Sequence, residues 1–326
     1  MWVTFARLVR AMSALILIVG AMPSQAQGYP SKPIRWVVAY PPGGGTDVLA
    51  RLVGSQLSKQ MGQPVVIENR PGGAGFIASE AVARSPGDGH TIFTGDNGTL
   101  VYNAALFKRT PYDAVKDFAS VGLMARFPLI LLASAGSPFS TASQMLETSK
   151  RKPGVLNYGS PGLGSPHHLA MELLKQKAGL SIVHVPYKGS GPALQDLIGG
   201  ELGLFVADAA AALPMVRSGK IKALAVFSKS RMAALPEIPT FIELGVEGVE
   251  AYGWQALVVP TSTPKEIVSR LNSELVKAIR APEVAPKLVD FGLELIPSDP
   301  MTMTRYLSEE ARLWHELIRE RKITLE

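Results

Sequence analysis

The chain has no cysteine among its 326 residues. That excludes disulfide staples, thiol nucleophiles, Cys-ligated metals and a lipid anchor built on a cysteine. Long apolar runs are scarce too. One, Ala11 to Ala21, follows Arg7 and Arg10 and precedes Pro23-Ser24-Gln25-Ala26, and no other approaches the ~20 residues that cross a bilayer. A basic start, a short apolar core and small residues at the cleavage positions form an export signal. Residues 1–26 therefore read as a leader, the mature chain as starting near Gln27, and the destination as the periplasm. Charge excess is small: the net charge is +6, and two of those charges are the leader arginines. Basic residues lie scattered among acids, without the aromatic interleaving that tracks a nucleic-acid backbone, so no nucleic-acid partner is expected. Catalytic templates are missing as well. No phosphate-binding G-x-x-x-x-G-K-[ST] occurs, the glycines of 159–164 run in the wrong order for a dinucleotide fingerprint, and Leu132 to Gly136 lacks the first glycine of a nucleophile elbow. No cofactor is implied.

What is present is an alternation of short apolar strands with longer helical patterns. Strands are expected at 34–40, 64–68, 90–94, 121–125, 128–134, 155–158, 181–185, 202–206, 221–227 and 255–259. Helices are expected at 46–61, 74–84, 113–117, 140–150, 165–178, 190–199, 209–218, 231–234, 238–244, 264–280, 282–291 and 300–323. This order predicts an α/β protein with parallel sheets and crossover helices. A mature length of roughly 300 residues suits two cores. The pattern divides into one lobe of 27–127 with 252–326 and a second of 128–251, joined by two crossing strands with a cleft between. Open α/β sheets bind ligands at the carboxyl ends of their strands, so function is expected at strand-to-helix turns.

Four of those turns are rich in glycine: Pro41 to Asp47, Pro71 to Gly75, Gly159 to Ser165 and Lys188 to Pro192. Glycine lets backbone approach a ligand closely, and each helix start presents unpaired N–H groups and the equivalent of roughly half a positive charge. Two such turns facing each other could hold a carboxylate with few cationic side chains. The ordinary reading of any one of them is a plain connecting turn.

The five histidines give no metal pattern. His167 and His168 are adjacent at a helix start, so their rings point roughly 100° apart, unlike an i, i+4 pair. A structural role at the helix end is the plain expectation for both, and it is stronger for His90, His184 and His315. Asp47 and Asp208 follow strand ends, where capping a helix is the usual task. Asp96 lies with Thr94 and Asn97 in a turn at the predicted cleft, where an acid would repel a bare carboxylate and attract an ammonium group.

Taken together, Tyr29 to Arg35 followed by Pro41 to Asp47, Val66 to Gly75, Tyr158 to Ser165 with His168-Leu169-Ala170, and His184 to Gly189 resemble the solute-binding proteins of tripartite tricarboxylate transporters, the Bordetella uptake gene (Bug) receptors. Ala212-Leu213-Pro214, Gly219-Lys220, Pro260 and Thr263-Pro264 extend the likeness over nearly the whole mature chain. The resemblance implies a type II periplasmic-binding-protein fold, no catalysis, and a small organic acid held by its carboxylate and passed to a two-component membrane permease by a monomeric receptor. By position, Pro42, Gly43, Gly44, Gly45, Thr46 and Asp47 would form the first-lobe clamp. Ser160, Gly162, Gly164, Ser165 and His168 would face it, with Lys188, Gly189 and Asp208 further out. Two regions depart from the family pattern, His90 to Asn103 and the alanine-rich Ala207 to Ala212. Both fall where the distal end of the ligand is expected. Two other readings compete: a sensor that presents the loaded receptor to a signalling partner, and an exported hydrolase built on Ser160, His168 and Asp208.

Overall fold

The computed structural model describes residues 28–325, and the expected leader lies outside them. Its elements, in chain order, are β1 (Ile34–Val38), α1 (Gly45–Met61), β2 (Val65–Asn69), α2 (Phe76–Ala83), β3 (Thr91–Asp96), α3 (Asn103–Leu106), β4 (Phe118–Ser134), α4 (Ala142–Arg151), β5 (Asn157–Ser160), α5 (Pro166–Ala178) and β6 (Val183–Pro186). They continue with α6 (Ser190–Gly199), β7 (Leu204–Asp208), α7 (Ala209–Arg217), β8 (Ile221–Val226), β9 (Tyr252–Pro260), α8 (Lys265–Arg280), α9 (Ala285–Asp290), β10 (Glu294–Leu295) and α10 (Pro300–Glu320).

Local chemistry sets these limits. β1 ends just ahead of Pro41-Pro42, which have no N–H to give a ladder. α1 then buries Leu49, Ala50, Val53, Leu57 and Met61 on one stripe and closes at Gly62 in the left-handed conformation. α5 starts on Ser165, whose hydroxyl accepts from the His168 N–H, with Pro166 in its first turn. α8 repeats the amphipathic pattern with Val268, Leu271, Leu275, Ala278 and Ile279.

The sheet runs β2-β1-β3-β9-β4-β7-β5-β6, with β8 and β10 also pairing to β4. β1 is parallel to β2 and β3, and β5 is parallel to β6 and β7. β9 is antiparallel to β3 and β4, and β4 is antiparallel to β7, β8 and β10. The expected all-parallel sheets are therefore mixed. Periodicity gives a strand's faces and not its direction, and every antiparallel pairing involves β4 or β9.

β4 corrects a second expectation. It is one 17-residue strand where two were read. Pro128, a breaker by composition, falls where β4 leaves β9 and takes up β7 and β8, with Pro128 opposite Tyr252 and Leu129 opposite Asp208. At this crossing the ring of Phe127 lies on Gly253: a Cβ there would sit 1.9 Å from the ring carbons, so only glycine fits. The Arg126 guanidinium covers the Tyr252 ring 3.8 Å from its centroid and bonds Glu294. The segments 113–117, 231–234 and 238–244 are turns, not helices; Pro236 and Pro239 interrupt the latter pair.

α10 ties the halves together. Its buried face carries Met303, Trp314, Leu317 and Ile318. At its end Arg321 donates to the buried Glu172 of α5 at 2.8 Å, beside a Gln176–Glu320 hydrogen bond. Among the described residues no helix is long and apolar enough to cross a membrane.

Candidate ligand-binding site

The turns that follow β1, β3, β5, β6 and β7 open onto one cavity of about 1040 Å³. Its wall includes the starts of four helices: Gly45 and Thr46 of α1, Ser165 to His167 of α5, Gly189 and Ser190 of α6, and Asp208, Ala210 and Ala211 of α7. Tyr40, Phe127, Trp254, Phe291, Leu293 and Leu325 supply apolar surface. Among the described residues no lysine or arginine lines it. Its charged side chains are Asp96 and Asp208, so attraction for an anion would have to come from backbone.

The first turn keeps its donors free. The N–H groups of Gly44, Gly45 and Thr46 have no acceptor among the described residues, and α1 has no side-chain cap. Gln255 Nε2 donates to Thr46 Oγ1 at 2.8 Å, leaving the threonine hydroxyl hydrogen for another acceptor. Asp47 faces backward. Its carboxylate accepts from the Gly43 N–H, Arg51 and Asn69, each at 2.9 Å, so it braces the turn instead of lining the cavity. Burial opposes its charge, but Arg51, the Gly43 amide and Asn69 outweigh that and hold its carboxyl below the usual range.

The turn after β5 is different. Gly162 N–H leans on Ser160 Oγ at 3.4 Å, Gly164 N–H donates to His168 Nδ1 at 3.0 Å, Ser165 N–H to the Gly162 carbonyl at 3.2 Å, and Gly189 N–H to the Pro161 carbonyl at 2.8 Å. Every amide expected to face the first clamp from these residues is already engaged by the protein. Gly164, at φ +74°, lies so close to Leu106 that a Cβ would approach its Cδ1 to 2.7 Å.

Of the residues expected at the site, Pro42, Gly44, Gly45, Thr46, Asp96, Asn97, Gly164, Ser165, Gly189 and Asp208 line the cavity. Gly43, Asp47, Thr94, Ser160, Gly162, His168 and Lys188 do not. Thr94 is buried under Trp36, whose indole N–H it accepts at 2.7 Å, and Lys188 is exposed. Asp96 lines the cavity, but its oxygens are already engaged: Oδ1 accepts from the Thr99 amide and hydroxyl, and Oδ2 accepts from Tyr40. The expected attraction for an ammonium is thereby weakened. Asn97 likewise spends its amide on Tyr102, Tyr252 and Trp254.

The adjacent histidines separate as their helical offset demands. His167 is on the cavity wall. His168 points inward, stacked on His184 with centroids 4.0 Å apart. Burial and His184 push its pKa down to about 3, and burial pushes that of His184 to about 4. Ser160 contacts His184 Nε2 at 2.7 Å and is fully buried. Asp208 lies by His167, not His168. Ser160, His168 and Asp208 thus form no catalytic set. Among the described residues no cluster of three or more His, Asp or Glu could hold a metal.

Gln255, Tyr40, Phe127, Phe291 and Leu325 were not expected at the site. Gln255 carried a signal, being the one polar side chain within the apolar run Tyr252 to Pro260. Tyr40 directly precedes the first turn, whereas Phe127, Phe291 and Leu325 have no local mark, because they reach the cavity from distant parts of the chain.

The sequence profile of the tripartite tricarboxylate transporter family receptor matches residues 49–323. The chain belongs to that family. BugT of Bordetella pertussis is 33% identical over 316 residues, covering 96% of this chain and 97% of BugT. The Rhodopseudomonas palustris protein Rpa4515, solved with adipate, is 35% identical with a TM-score of 0.80, over 89% of this chain and 97% of that one. MatC of the same organism, solved with bound malate, is 32% identical with a TM-score of 0.77, over 89% and 99%. The receptor therefore has the mixed α/β periplasmic-binding-protein fold and is a binding component of a transport family, not an enzyme.

Proposed function

We propose that this receptor binds a small organic acid, with one carboxylate seated on the start of α1 against the Gly44, Gly45 and Thr46 amides and the Thr46 hydroxyl. The observation that carries this reading is the convergence of four helix starts on a cavity with no cationic side chain among the described residues, where the Gly44, Gly45 and Thr46 amides lie side by side without an acceptor. Charge-assisted bonds from amides in a space closed to water are the strong kind. The residues 27–127 with 252–326 and 128–251 act as lobes that bend about the Phe127–Gly253 crossing, and binding favours the closed form. The exported receptor, freed of its leader near Ala26, works as a monomer in the periplasm and hands its acid to a two-component membrane permease. The acids in Rpa4515 and MatC agree with this ligand class.

A thermal-shift screen tests the reading. Mono- and dicarboxylates are compared with the neutral amides of the same acids. At 100 times its dissociation constant the native acid adds about 2.7 kcal/mol of stability, and its amide adds far less. Equal stabilisation by acid and amide, or none by any acid, defeats the assignment.

A further inference from the structure

His167 is 7% exposed, and neither ring nitrogen has a hydrogen-bond partner among the described residues. In the neutral ring one nitrogen donates and the other accepts. Leaving such a group buried and unmet costs roughly 1–3 kcal/mol, and native proteins rarely do it. No structural task explains it: Ser165 already caps α5, and Phe127 offers only a stacked face with centroids 6.4 Å apart. The nearest charged atom is Asp208 Oδ2, 3.9 Å from His167 Nε2, beyond hydrogen-bond range. Asp208 Oδ1 caps α7 by accepting from the Ala211 N–H at 3.0 Å; Oδ2 faces only His167, which helps hold the Asp208 carboxyl below the usual range against its burial. A donor and an acceptor thus stand in one stretch of wall with a gap between them.

The gap discriminates among end groups. One oxygen atom ~2.8 Å from each would span it with an angle of ~90°. A hydroxyl accepts one bond and donates another, so it satisfies both sides. A carboxylate only accepts and would meet Asp208 charge to charge; with the imidazole proton on Nε2, an ammonium, which only donates, leaves that N–H unmet. We propose that His167, together with Asp208, selects ligands that carry a hydroxyl at the end away from the anchored carboxylate, so that the preferred solutes are hydroxy acids and not dicarboxylates or amino acids. This rests on the carboxylate seat proposed above. Asp96 and Asn97, which follow β3, are already spent on the protein, and the other buried polar atom of the lining without a partner, Gln255 Oε1, belongs to the side chain that bonds Thr46. The His167 nitrogens lie just beneath the surface, so seating the hydroxyl involves a turn of the ring.

Calorimetry on the mature chain tests this with matched sets: hexanoate, 6-hydroxyhexanoate, 6-aminohexanoate and adipate, the four-carbon equivalents, and benzoate against 4-hydroxybenzoate. In at least one set the hydroxy acid binds about tenfold or more tighter than its parent, and neither the amino acid nor the diacid does. His167→Phe brings hydroxy acid and parent within about twofold of each other; His167→Gln, which keeps a donor and an acceptor, retains part of the preference and serves if the phenylalanine variant fails to fold. The proposal is overturned if the diacid or unsubstituted acid binds tightest in every set, or if His167→Phe keeps the hydroxyl preference. Acids binding without that preference defeat this inference alone. Failure of every acid to bind defeats the carboxylate seat with it.

Discussion

After β1 the amides of Gly44, Gly45 and Thr46 face the cavity with nothing to hold, whereas after β5 the amides of Gly162, Gly164 and Ser165 are each engaged by a neighbour. Both turns are short, rich in glycine and proline, and followed by a helix. The difference lies in the acceptors nearby. The first turn has a single acid, Asp47, which faces away from the cavity and takes only the Gly43 amide of the turn, its other bonds going to Arg51 and Asn69. The second has Ser160 Oγ, His168 Nδ1 and its own carbonyls within reach, backed by the buried Glu172 and Lys175 with the half-buried His184 and Arg321 beside them. A glycine-rich turn is an anion seat only where the protein supplies no competing acceptor. The second wall instead presents side chains, His167 and Asp208.

Removing the brace behind the second turn has the largest expected effect. Glu172 is 5% exposed and bonds Tyr158, Lys175 and Arg321, so Glu172→Gln strands two cations and lowers unfolding free energy by about 3–5 kcal/mol. Urea titration checks this, and a loss under ~1 kcal/mol would show the brace to be dispensable. Gly45→Val comes next. A Cβ at Gly45 meets only Phe291 Cε1 at 3.6 Å, an ordinary contact, so the side chain projects where the ligand approaches without straining the fold. Affinity for the native acid drops about a hundredfold, or ~2.7 kcal/mol, while Gly162→Ala changes it less than about threefold. Equal effects in the two turns would erase the contrast between them.

Acid separates the turns further. His168 and His184 titrate in the folded protein near 3 and 4, below the ordinary 6.5. The unfolded chain therefore takes up their protons first, and stability falls as pH drops below about 6.5, by up to about 1.4 kcal/mol per pH unit for each ring. Denaturant curves at pH 7, 6 and 5 should show the loss, and His184→Gln should roughly halve its slope. A flat profile would mean the stacked rings are not kept neutral. The smallest effect is expected from Ser165→Ala, which removes the α5 cap at a cost of about 1 kcal/mol and leaves acid binding nearly unchanged; a large loss of affinity would show that Ser165 touches the ligand.

Most of the strand and helix order was legible, because alternation and turn residues mark each element locally. Strand direction was not, nor was the continuity of β4 through Pro128, since both depend on which partners the crossing meets. At the site, the first clamp was legible in Gly44 to Thr46. Whether an amide was already spent was not, because Ser160 and His168 look like ligands and serve as acceptors for their own loop. The motif His168-Leu169-Ala170 drew attention to the second histidine, while the helical offset placed the first on the cavity. Gln255 shows that a lone polar residue in an apolar strand is a usable mark.

Leu325 lies in the cavity wall beside Leu106 and Gly164, held by its N–H to the Leu106 carbonyl at 3.1 Å. Anything fused beyond it departs from the wall of the proposed solute cavity. Anchoring the receptor to a sensor chip through that end would crowd the cavity and slow apparent association.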